Sequence, residues 1–151
     1  MKNKSQHIIR KTLPFLLIFS VIFSAIFLFS CEKEQPVVIK DSDTCIVIIP
    51  DSSYLEGKTK VPLIDYMEYL KGKGELDYTA ENGMITSLNG TENPSDFSSC
   101  WMLYTNDPDN SSTAWGTIEY NGTVCGSALT GADTAIIKPD ALYIWVFKAF
   151  S

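Results

Sequence analysis

The residues best placed to do chemistry sit in one polar run, Asn106 to Ser112. Asp107, Asp109 and Ser111 supply oxygens at alternate positions, which is how a calcium-binding loop opens. The run then departs from that pattern. Ser112 stands where a glycine makes the sharp turn, and Ile118 stands where a bidentate glutamate closes the coordination shell. Asp107 and Asp109 are therefore weak metal candidates, and a solvated, asparagine-rich turn is the simpler reading.

Other chemistry is excluded by what the chain lacks. Its one histidine, His7, and its one arginine, Arg10, lie at the extreme N-terminus. Beyond them there is no imidazole to activate a serine or cysteine, to build the usual zinc site or to ligate cobalt. There is no phosphate-cradling glycine loop and no nucleophile elbow, and no two carboxylates are marked out as a pair. No catalytic residue and no resident cofactor are assigned, and the chain is read as non-catalytic.

The N-terminus reads as an export signal. Lys2, Lys4, Arg10 and Lys11 precede an uncharged run from Leu13 to Phe29, which ends in Leu28-Phe29-Ser30-Cys31. This resembles a bacterial lipoprotein signal over residues 1–30, with Cys31 as the lipid attachment point. The alternative is an uncleaved anchor, since the apolar run is at the lower limit for spanning a bilayer. Both place the remainder outside the cytoplasm, held at a membrane. Four of the twelve basic residues lie in this segment and none of the eighteen acids does, so the rest carries eight against eighteen, a net charge of −10. Without arginine, such a surface does not track nucleic-acid phosphates.

With Cys31 lipidated, Cys45, Cys100 and Cys125 remain, enough for one internal pair at most. Cys100 and Cys125 are the candidate disulfide, permitted by export. The alternative is three reduced cysteines acting as small apolar groups.

What remains is aromatic. Beyond the signal there are three tryptophans, seven tyrosines and three phenylalanines. They gather around Ser99 to Asn106, where alternation sends Trp101 and Leu103 to one side of a strand and Cys100, Met102 and Tyr104 to the other. Trp115 and Tyr120 lie beside glycines on a hairpin, where an aromatic side chain is hard to hide. Trp101, Tyr104, Trp115 and Tyr120 are the candidate contacts for a flat apolar ligand or a glycan. Trp101 and Tyr104, on opposite faces, cannot both serve one surface.

These residues are positioned by a short list of elements. Residues 31–44 read as a flexible tether, with Val37-Val38-Ile39 able to add an edge strand, and the folded domain is placed at 45–151. Cys45 to Ile49 is a buried strand closed by Pro50, and Asp51 to Lys60 is a loop. Leu63, Ile64, Met67 and Leu70 form one apolar stripe after Pro62, which indicates a helix. Gly72 and Gly74 stop it. Strands follow at Leu76–Glu81, Met84–Leu88, Ser99–Asn106, Trp115–Tyr120, Thr123–Ser127, Ala135–Ile137 and Leu142–Phe150. Asn82-Gly83, Asn89-Gly90 and Asn121-Gly122 are turns. The fold class is α+β, a mainly antiparallel sheet with one amphipathic helix packed on it.

In order, these pieces resemble the transcobalamin-like C-terminal domain family. The matching segments are the helix Leu63 to Leu70, Gly83 to Gly90, Trp101 to Asn106 and Trp115-Gly116-Thr117. They continue through Gly126-Ser127-Ala128 with Gly131 to the ending Lys138 to Trp145. Ala141 stands where such domains commonly have glycine, and the second domain with which cobalamin carriers clamp the corrin is missing. The resemblance implies a small ligand-binding domain with a corrinoid, or another flat apolar molecule, as its expected ligand. A surface module binding a partner protein (a transporter or adhesion component) or a glycan is the alternative, and a divalent-metal-binding protein is a weaker third.

Overall fold

The computed structural model describes residues 38–150. The lipoprotein signal at 1–30 and Cys31 lie outside the described residues. Among those described, no helix is long and apolar enough to cross a membrane.

Among the described residues, nine strands and two helices make a mostly antiparallel β structure with helix, an α+β fold. In chain order the strands are β1 (Val38–Ser42), β2 (Cys45–Ile48), β3 (Tyr78–Glu81), β4 (Met84–Leu88) and β5 (Thr91–Glu92), then β6 (Ser99–Thr105), β7 (Ser111–Tyr120), β8 (Thr123–Ala128) and β9 (Tyr143–Ala149). The helices are α1 (Ser52–Leu55) and α2 (Leu63–Gly72). Six strands form one sheet in the order β1-β2-β9-β6-β8-β7, and β3-β4-β5 form a second. The three asparagine-glycine turns join β3 to β4, β4 to β5 and β7 to β8. In each, both residues have positive φ, as Asn121 (47°) and Gly122 (78°) illustrate, which is the geometry that matches strand twist.

Strand alternation divides the large sheet. On one face Ile46, Ile48, Trp101, Leu103, Tyr143 and Trp145 join Leu63, Tyr66, Met67 and Leu70 of α2 in the main core. Each such aliphatic side chain withdrawn from water contributes about 1.5–3 kcal/mol. On the other face Val47, Tyr104, Cys125 and Ile144 form a smaller apolar cluster, flanked by Met102, Ile118, Tyr120 and Val146.

Several sequence expectations are corrected. Residues 38–44 are not tether: β1 pairs with β2, Ile39 opposite Val47, so the sheet begins before the placed boundary at 45. The loop 51–60 contains α1, capped by Asp51, whose carboxylate accepts the Ser53 amide at 2.8 Å. The described residues thus hold two helices. Ala135–Ile137 is no full strand, because Ile136 makes only an isolated bridge to Pro62. The reason is that its backbone is engaged with α2. The first helical amides have no intrahelical partner, and Leu63 and Ile64 donate instead to Ala135 O (2.7 Å) and Ala132 O (2.8 Å). At the other end Gly74 (φ 73°) lets Glu75 N–H reach back to Leu70 O at 3.0 Å. This is the glycine stop that the spacing indicated.

Candidate functional site

The site is assembled where β7 departs from its partner. Ser112 lies opposite Ser127 and Thr117 opposite Gly126, so four residues of β7, 113–116, stand against no residue of β8. Two glycines permit this. Gly116 takes φ 88°, and a Cβ on Gly126 would lie 2.5 Å from Ser112 O, so only glycine lets the two backbones come this close. β7 begins at Ser111, paired with Ala128, inside the polar run Asn106 to Ser112 that reads from the sequence as a solvated turn.

The bulge is pinned. Ser127 Oγ accepts the Trp115 amide at 3.3 Å and donates to Ser112 O at 3.2 Å. Tyr104 crosses from β6 and donates its hydroxyl to Trp115 O at 3.3 Å, while its ring is buried. Lys148 of β9 donates to the same carbonyl at 3.4 Å and to Tyr104 Oη at 3.3 Å. Three strands therefore hold the main chain of Trp115, and its indole is left outside, 65% exposed. A rigid backbone carrying an open aromatic face suits stacking against a flat ligand, because little order is lost on binding.

Of the four aromatic candidates, Tyr104 and Trp115 are brought together. Tyr120 is half-buried against the cluster that contains Tyr104. Trp101 is not part of the site and is corrected to core. It is 4% exposed on the opposite face, donates Nε1–H to Thr91 O at 2.9 Å and packs at 5.3 Å against Phe147. The strand alternation had separated it from Tyr104.

The metal candidates are corrected too. Lys138 Nζ lies 2.7 Å from Asp107 Oδ1 and 2.5 Å from Asp109 Oδ2, so an ammonium occupies the space between the two carboxylates. The hydrogen bonds to Asp107 and Asp109 push the Lys138 pKa up, and that from Lys138 holds the Asp109 carboxyl below its usual range. Asp107 is buried, and its Oδ1 also accepts the Asp109 amide at 3.1 Å. Among the described residues no group of three histidine, cysteine or carboxylate side chains could hold a metal ion.

The disulfide is likewise corrected: Cys45, Cys100 and Cys125 are all free. Tyr104 is opposite Ser127 and Thr105 opposite Gly126, which puts the level of Cys125 six residues along from Cys100. That is roughly 20 Å along the strands, far beyond the reach of a sulfur bridge. Burial pushes all three thiols up.

Sequence reasoning missed Lys148 and Ser127. Lys148 was findable, since it follows Ile144 and Val146 on the face that carries Tyr104. A second aromatic group also went unread. Tyr54 of α1 packs on Tyr69 (4.4 Å) and Tyr66 (4.9 Å) of α2 and carries Lys58 over its outer face at 3.2 Å, which fastens the short helix to the long one. Comparison with family models, curated proteins and solved structures gives no match to this chain.

Proposed function

We propose that this chain is a non-catalytic extracytoplasmic lipoprotein, anchored through Cys31, whose domain captures a flat apolar ligand at the Trp115 corner. A corrinoid is the first ligand to test. The observation that carries the reading is the exposed indole of Trp115 on a backbone fixed by Tyr104, Lys148 and Ser127. The ordered resemblance to the transcobalamin-like family supports it, with α2 as the one amphipathic helix laid on the sheet. Chain composition supports a binding role over catalysis, as no histidine lies beyond His7.

The test is an absorbance titration of the chain from residue 32 with cobalamin and with cobinamide. Binding is expected in the native domain, and Trp115→Ala is expected to weaken it about fivefold or more while the melting temperature holds. No binding of either corrinoid overturns the corrinoid reading. A second reading, a module that docks a surface or transporter protein or a glycan, is favoured by Phe97 and Phe150. They are 54% and 44% exposed, and Phe150 N–H donates to Ser98 O at 2.8 Å. For the anchor, Cys31→Ala should abolish lipid labelling; retained labelling would refute it.

A further inference from the structure

Among the described residues, no carboxylate pairs with the positive charge at the Trp115 corner. Lys40, Lys71, Lys73 and Lys138 are each paired with a carboxylate. Lys148 has no carboxylate partner among the described residues. Its ammonium is exposed and touches only neutral oxygens, Tyr104 Oη at 3.3 Å and Trp115 O at 3.4 Å. In register, the nearest acid toward β2 is Asp43, which is already engaged by Lys40 at 2.7 Å. The ammonium stands beside the residue that presents the indole, in a part of the chain where acids outnumber bases by ten.

We propose that Lys148 makes the Trp115 corner selective for planar apolar ligands bearing an anionic group, a carboxylate, sulfonate or phosphate, over neutral ligands of the same shape. This rests on the reading of Trp115 as the stacking surface and adds to it the chemical class of the ligand. The aromatic face supplies contact area without regard to charge. The ammonium, already drawn toward the backbone carbonyl of Trp115, supplies the preference. One donor remains to it, because a lysine ammonium has three protons and two are directed at oxygens at the margin of hydrogen-bonding distance. An anion would therefore improve on its present partners rather than displace a strong one.

Two probes with one skeleton separate the terms. 8-Anilinonaphthalene-1-sulfonate and N-phenyl-1-naphthylamine differ by the sulfonate alone, and both report binding by fluorescence. Titrations would use the native mature chain and the variants Lys148→Met, Lys148→Arg and Trp115→Ala. The sulfonate is expected to bind native protein more tightly than its neutral analogue. Lys148→Met should cut that preference about two- to fivefold, the size of a solvent-exposed charge pair, and weaken the neutral probe less than the sulfonate, because Tyr104 and Ser127 still hold the Trp115 backbone. Lys148→Arg should restore the preference, and added salt should erode it in the native and Lys148→Arg proteins but not in Lys148→Met. Trp115→Ala should weaken both probes alike. A ratio of affinities unmoved by Lys148→Met overturns the selectivity while the stacking site stands. Binding of both probes unmoved by Trp115→Ala, or binding of neither to native protein, overturns the site itself and the selectivity with it.

Discussion

Lys138 and Lys148 enter and leave the same strand, and they do opposite things. Lys138 precedes β9 and reaches two carboxylates, one of them buried, tying the turn before β9 to the loop after β6. Lys148 is next to last in β9 and reaches two neutral oxygens, tying the same strand to the bulge of β7. At the first corner the charge is spent inside the protein. At the second it is satisfied only as a hydrogen-bond donor, so its field remains available to a ligand. The charge of the partner, rather than the residue type or its exposure, decides which lysine is structural.

Variants can break this contrast. The largest effect calibrates it: Trp101→Ala, in the core, is expected to cost about 3–5 kcal/mol in denaturant unfolding, whereas Trp115→Ala should lie within about 0.5 kcal/mol of native. Equal losses would make Trp115 a packing residue. Next comes Asp107→Ala, which leaves the Asp109 amide and Lys138 without their buried acceptor and should cost about 1–3 kcal/mol. Lys148→Met, by contrast, should be nearly neutral to folding; a loss comparable to that of Asp107→Ala would remove the distinction between the two corners.

The pH dependence sharpens it further. Asp109 titrates below its ordinary 3.8, so its contribution is present above that value and lost as pH falls through the lowered one. Lys138 titrates above its ordinary 10.5, so its contribution is full below that value and lost as pH rises through the raised one. The difference in melting temperature between native and Asp109→Asn protein should hold steady across the neutral range and shrink on acidification past 3.8. A difference that grows in acid would contradict the clasp. The smallest effect concerns Phe97, a bulky residue at φ 53° that is half exposed. Phe97→Asn should leave stability unchanged or raise it by up to about 1 kcal/mol, because asparagine takes this conformation at less strain. A marked loss in a melting curve would mean that the ring packs as core.

What could be read from the chain alone follows from range. Helix α2, its glycine stop and the three asparagine-glycine turns depend on neighbours within a few residues, and they stand where the sequence placed them. The split between Trp101 and Tyr104 needed only strand alternation. The Cys100–Cys125 pairing failed because it needed a register, and flanking the same strands says nothing about level along them. Asp107 and Asp109 were seen as oxygen donors, but their partner Lys138 lies 31 residues beyond Asp107 and nothing local announces it. The bulge was hidden for a similar reason. Gly116 and Gly126 look like ordinary strand glycines until β7 is laid against β8.

That bulge has a bearing on solubility. A sheet presents unpaired amides and carbonyls along its two outermost strands, and a long flat one invites other chains to add to it. Among the described residues the outermost strands of the large sheet are β1 and β7. β1 has five residues, a register shift between Lys40 and Ser42, and an ion pair from Lys40 to Asp43. β7 has ten residues, but its ladder is interrupted between Ser112 and Thr117. Neither edge offers an uninterrupted template, so the device that holds out an indole also works against edge-to-edge pairing of neighbouring copies.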